Sequence, residues 1–187
     1  MDQLNLGFIV LVLGIIGVAW AVLTYNRLVR LRVRADEAWH GIDTQLKRRW
    51  DLLPQLVTTV QGYASHERDV FERVASARQR SMQTETPRDQ AYAEESLKEE
   101  LRSLYALVED YPDLRADKAF LKLGETLEEI EDTIQRSRRY YNSVVRDLNT
   151  MIGSFPRKMI ANAFHFKERE YYALRHEEEA ISQAVKF

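Results

Sequence analysis

The sequence predicts an all-α protein: an N-terminal transmembrane helix followed by an up-and-down, antiparallel four-helix bundle with a long first helix. Three observations carry that expectation. The 187 residues are 30% charged and include only 7 glycines and 4 prolines, a composition of long helices and few turns. No charged residue occurs between Gln3 and Asn26. Beyond that stretch, apolar residues recur at alternating three- and four-residue spacing, the period of a helical stripe, and no segment alternates as a strand would. The expected domains are a short extracytoplasmic N-terminus (1–5), a transmembrane helix (6–25) and a cytoplasmic bundle (26–187).

The first element is LGFIVLVLGIIGVAWAVL, Leu6 to Leu23. Its 18 residues, at about 1.5 Å each, cover roughly 27 Å, close to the hydrocarbon thickness of a bilayer. Ala19-Trp20-Ala21 has the small-x-small form of a signal-peptide cleavage site. Against cleavage stand the acid Asp2, where a signal peptide is positive, and Arg27, Arg30, Arg32 and Arg34, which resist translocation. The same arginines favour the cytoplasm for everything after residue 26. Trp20 and Tyr25 suit the membrane interface, with the arginines against anionic inner-leaflet lipid. Gly7, Gly14 and Ala21 lie seven apart on one face, a seam for transmembrane self-association.

Leu28, Leu31, Ala35, Ala38, Ile42 and Leu46 carry the apolar face out of the membrane. Leu53, Val57, Val60, Ala64, Phe71 and Val74 continue it, with Glu67 as a polar exception. One helix to about residue 80 is expected, kinked or broken just before Pro54. Residues 79–86 read as a loop. Thr86-Pro87-Arg88-Asp89 reads as a capped start for a second helix along Leu97, Leu101, Leu104 and Val108, ended by Tyr111-Pro112-Asp113. The third helix has the strongest signal: Phe120, Leu123, Leu127, Ile130, Ile134, Tyr141, Val144, Leu148 and Met151, with Asp117 as cap and Gly153-Ser154-Phe155-Pro156 as stop. Arg157–Ala163 reads as a short helix, Phe164-His165-Phe166 as a bend, and 167–184 as a final, more polar helix. The predicted bundle core contains Leu53, Val57, Val60, Leu123, Leu127, Ile130, Ile134, Tyr141 and Leu148.

The pattern Tyr-Asn-x-x-Val-Arg occurs twice, as YNRLVR from Tyr25 and YNSVVR from Tyr141. With the first and third helices parallel, the two copies lie far apart, and they read as two local solutions. Tyr25 suits a headgroup layer, Tyr141 a buried stripe, and Arg146 an acid or water.

Little in the sequence points to chemistry. Cysteine is absent, which excludes thiol catalysis, disulfides and thiolate metal sites. The seven glycines form no phosphate-cradling loop, and neither GxSxG nor HExxH occurs. Glu37-Ala38-Trp39-His40 is an ExxH, but a di-iron bundle needs a second one. His66-Glu67-Arg68-Asp69 reads as a polar helix face. The expectation is no enzyme, no metal and no cofactor. Charge is polarised: residues 26–50 hold seven bases and three acids, and residues 85–131 hold fourteen acids and six bases. Lys47-Arg48-Arg49 is too short a basic run for nucleic-acid binding and reads as a lipid contact or an ion-pairing group for the acidic helices.

The combination of QLKRR with LLPQLV, then EDYPDL, RRYYNSVVRDLN and SFP, resembles the LemA family of bacterial membrane-anchored proteins. The likeness covers most of the chain after the anchor. Such proteins often carry Asn at Gln55, a small residue at His40, and Gly-Phe at His165-Phe166. The resemblance implies an anchored four-helix bundle without established catalytic residues. Relatives have been tied to organising internal membranes, and others occur alongside HtpX-type membrane proteases. The expected function is a non-enzymatic scaffold that self-assembles as a homo-oligomer at the inner membrane. The alternative is an adaptor for a membrane protease or another envelope protein.

Overall fold

The computed structural model describes residues 7–173 in full and, for residues 2–6, the backbone alone. The described chain is all α, with helices packed antiparallel and no strand. The helices are α1 (Asp2–Gln61), α2 (Arg68–Met82), α3 (Pro87–Val108), α4 (Pro112–Arg115), α5 (Lys118–Gly153) and α6 (Arg157–Ala163). The chain divides into two compact units. The smaller comprises Met1–Glu37 and Ser143–Arg169, and the larger comprises Ala38–Asn142 with the chain from Glu170.

In the larger unit α1 runs through Pro54, so of the expected kink or break the break does not occur. A proline at position 54 deprives the Trp50 carbonyl of its helical donor four residues on. Arg78 of α2 supplies the replacement, its Nε donating to Trp50 O at 2.6 Å. The helix ends later, at Gln61. Gly62 follows, a residue with low helical propensity, and Tyr63 and Ala64 both donate to the Val60 carbonyl. Glu67, the polar exception in the expected stripe, is the residue that precedes α2. Ala64, Phe71 and Val74 are indeed buried, but from beyond a reversal of the chain.

That extra reversal changes the topology. The four long helices are α1, α2, α3 and α5. Along α1, Trp39 meets Tyr141 of α5 (5.6 Å between ring centroids), Arg49 meets Glu131, and Tyr63 meets Asp117. Rising numbers on α1 pair with falling numbers on α5, so these helices run antiparallel, correcting the parallel arrangement expected from sequence. Residues 79–82, expected as part of a loop, form the last turn of α2, with Ser81 buried. The starts of α3 and α5 fall where expected: Thr86 accepts from Asp89 N ahead of Pro87, and Asp117 accepts from Phe120 N at 2.9 Å.

The expected last helix is also corrected. Residues 167–173 are not helical, and 174–184 lie outside the described residues. In the larger unit Tyr172 is bound to Asn142 of α5 through both halves of its backbone: its N–H donates to Oδ1 at 2.9 Å, and its carbonyl accepts from Nδ2 at 3.0 Å. In the smaller unit Asn149 holds Arg169 in the same way, at 2.9 Å for both bonds. An asparagine amide carries one donor and one acceptor side by side, so it pairs with a peptide as a neighbouring strand would.

The smaller unit has its own core, formed by Leu28 of α1, Leu148, Met151 and Ile152 of α5, and Ala161 of α6, with Leu31, Ile160 and Phe166 packed on it. Phe155–Pro156 is a cis peptide at the corner between α5 and α6. His165 adopts φ 54°, a left-handed conformation that favours glycine.

Candidate functional site

The larger unit buries a polar network where a bundle ordinarily buries hydrocarbon. Its members come from four helices: Arg49 and Trp50 from α1, Ser81 from α2, Gln90 and Glu94 from α3, and Glu131 from α5. The helical period places them there. Arg49 and Trp50 lie three and four residues after buried Leu46, and Trp50 is three before buried Leu53. Gln90 and Glu94 extend the stripe of Leu97 and Leu101 by two positions toward the start of α3.

Arg49 is only 6% exposed, and its Nη1 donates to Glu94 at 2.9 Å and to Glu131 at 3.0 Å. Lys98 lies 3.7 Å from Glu131, so two cations face two carboxylates and the group is charge-balanced. The second Glu94 oxygen accepts from Trp50 Nε1 at 3.2 Å and from the Ser81 hydroxyl. Gln90 donates to Ser81 Oγ at 2.9 Å and accepts from Thr84. No buried side-chain nitrogen or oxygen among the described residues lacks a partner. Such completeness is what makes a buried charge tolerable, since an unpaired one costs several kcal/mol.

Two clefts open onto this network. One, of about 420 Å³, has walls from Leu101, Tyr105 and Leu127 and a charged rim of Lys98, Arg102, Glu128 and Glu131. The other, of about 380 Å³, is bounded by Glu94, Glu95, Lys98, Gln135, Arg138 and Tyr172. Burial and the nearby Glu94 charge push the Tyr172 hydroxyl far above its usual range. Arg138 lies over the Tyr172 ring at 5.6 Å and donates to its carbonyl. Burial likewise raises the Tyr105 hydroxyl. Both phenols are therefore neutral at physiological pH. The network holds α1, α2, α3 and α5 in one register.

The residues singled out from sequence are placed as follows. Trp20 is exposed, and Tyr25 stacks on Phe164 at 4.7 Å. Arg27, Arg30 and Arg34 line a cleft of about 360 Å³ with Leu31 and Asp147, and Arg32 lies over the Phe166 ring at 5.4 Å. Gly7 and Gly14 are exposed with open space where a side chain would begin, and Ala21 is half-buried. Leu53, Val60, Leu127, Ile130, Ile134 and Tyr141 are buried in the larger unit, and Leu148 in the smaller. Val57 and Leu123 are half-buried, and Leu56, one position from Val57, is fully buried instead. Glu37 and His40 both face solvent. His66 and Glu67 lie in the turn before α2 and not on a helix face. Among the described residues no three histidine, aspartate or glutamate side chains converge as metal ligands would.

The two Tyr-Asn copies have different partners. Tyr25 packs on Phe164 and Phe166 in the smaller unit. Tyr141 packs on Trp39 and donates to the Glu170 carbonyl in the larger. Arg49 makes the ion pairs with acidic helices that the sequence suggested for Lys47-Arg48-Arg49, but sequence reasoning missed their burial, the other members of the network and the asparagine clamps. The available signals were polar residues on stripe positions 90 and 94, and asparagines seven apart at 142 and 149.

Comparison with known proteins bears on this same region. The chain is 25% identical over 131 residues to protein LemA of Metamycoplasma hominis, an alignment that takes in 70% of this chain and 60% of that protein. This chain thus matches less than two thirds of its relative's length. A model of the LemA family matches residues 38–187, which include the buried network, both clefts that open on it and both asparagine clamps. The match extends over most of the sequence, and the chain belongs to the LemA family.

Proposed function

We propose that this protein is a non-enzymatic scaffold, anchored in the bacterial inner membrane by residues 6–25, with its N-terminus outside and its bundle in the cytoplasm. One observation carries the reading. The apolar part of α1 is uncovered: Phe8 is 67% exposed, Val18 66% and Leu23 66%, and the same helix continues without a break into packed structure. Side chains of this kind need a bilayer or another apolar partner around them. A signal peptide fits less well, because Asp2 stands where such a peptide is positive and Arg27, Arg30, Arg32 and Arg34 just beyond the small-x-small site resist translocation. The family is not a known enzyme family, and a network of fully paired charges serves registry better than catalysis.

Self-assembly is the second part of the proposal. The open face at Gly7 and Gly14 supports it, since small residues let two helices approach closely. The test is the particle mass of full-length protein in native-lipid nanodiscs, beside a form lacking residues 1–26. A large, uniform particle for the full-length protein is expected; a single-subunit mass for both sinks the scaffold.

The cleft of Leu101, Tyr105 and Leu127 favours a second reading, an adaptor that receives an apolar segment of a membrane protease or another envelope protein. Mild crosslinking in native membranes distinguishes the two. A heterologous partner crosslinked through Tyr105 supports the adaptor, and crosslinks between copies alone support the scaffold.

A further inference from the structure

The corner between α5 and α6 exposes large apolar side chains. Phe155 is 83% exposed, Met159 63% and Phe164 58%. Phe155 and Met159 are four residues apart, while Ala161 faces inward at 0% and seats α6 on the core. The charged residues among them are mostly basic: Arg157, Lys158 and Lys167, against one acid, Glu168. An apolar surface with a cationic rim is the composition of an interfacial membrane contact.

Its position in the smaller unit matches that composition. Tyr25 lies two residues, about 3 Å, past Leu23, within a headgroup layer of about 5–8 Å. Its ring is 4.7 Å from Phe164 and 5.8 Å from Phe166, so this aromatic group lies where the apolar helix leaves the hydrocarbon. Leu28, less than one turn further, packs with Ala161 in the core. The cleft of Arg27, Arg30 and Arg34, with Asp147, belongs to the same unit and carries a net positive charge suited to a lipid phosphate.

We infer that the α5–α6 corner is a second membrane contact, in which Phe155, Met159 and Phe164 rest in the interfacial layer of the leaflet that α1 crosses last, while Arg157, Lys158 and the arginine cleft hold anionic headgroups. The inference rests on the proposed anchor. A short helix of this kind has too little area to hold a membrane alone; the core around Leu28 delivers it to the surface. Continuity with the apolar span favours lipid over a soluble partner.

The chain contains no cysteine, so single cysteines can be labelled cleanly. F155C and M159C replace exposed side chains, and L13C reports on the span. Each full-length variant is labelled with an environment-sensitive fluorophore and reconstituted into phosphatidylcholine–phosphatidylglycerol vesicles. Spin-labelled lipids then quench at shallow or deep positions. The expected result is several-fold stronger shallow than deep quenching at 155 and 159, with the reverse at 13. Quenching at 13 without quenching at 155 and 159 overturns the inference and leaves the anchor standing, whether those sites are in water or under a second copy. No quenching at 13 overturns the anchor and the inference with it.

Discussion

Arg49 shows how one residue can determine what a core tolerates. It bridges two carboxylates from different helices, and Glu94 in turn accepts from α1 and α2. Removing Glu94 leaves the guanidinium buried with one partner fewer. Glu94→Ala is expected to destabilise the protein by about 3–5 kcal/mol, measured by chemical unfolding in detergent. Leucine or methionine at positions 49, 94 and 131 together should recover much of that loss, because the one charge left of the group, Lys98, is exposed enough to be solvated. Pro54 and Arg78 form a second residue-scale pair. Arg78→Met leaves the buried Trp50 carbonyl unpaired and is expected to cost about 1–3 kcal/mol. The same change in a Pro54→Ala background should cost much less, since the backbone N–H restored at position 54 can donate to that carbonyl itself. A double-mutant cycle measures the coupling, and additivity of the two changes would count against this account.

At the scale of elements, the non-helical segment after α6 depends on two side-chain amides of α5. Hydrogen exchange reads the clamps one at a time. Asn142→Leu should release protection at the Tyr172 amide, and Asn149→Leu at the Arg169 amide. Equal loss at both amides in either variant would mean that the segment opens as one piece. The start of α5 has a pH signature. The Asp117 carboxyl is held below 3.8 chiefly by the Phe120 N–H, with the Tyr63 hydroxyl assisting. A lowered folded-state pKa gives stability that is present above the unfolded value and is lost as pH falls through the folded one. The melting-temperature gap between wild type and Asp117→Ala should therefore be full at neutral pH and shrink below about pH 4. A gap that stays constant into acid would contradict the capping role.

For the whole molecule, the question is what covers the apolar surface of residues 7–23. If Gly7 and Gly14 form a helix–helix seam, Gly14→Ile should lower the particle mass in nanodiscs while leaving membrane insertion unchanged. An unchanged mass would place any assembly contact elsewhere on the chain. The fluorophore and nanodisc measurements thus separate anchoring from assembly.

The sequence by itself determined the helical class, the apolar N-terminal segment, most helix ends and the family. Each of these depends on local chemistry: composition, a 3.6-residue period, a threonine or aspartate cap, a run of recognisable motifs. Tertiary structure decided three things that local chemistry could not. It carried α1 through Pro54, because the missing donor came from Arg78, 24 positions away. It turned the chain at Gly62, where the apolar period ran on with only Glu67 interrupting it and hid a reversal that inverts α5 relative to α1. It made Arg49, Gln90 and Glu94 core residues, because their partners come from helices that the sequence does not place beside them. Periodicity reports which face of a helix is covered; it cannot report by what, and in this protein part of the cover is charge.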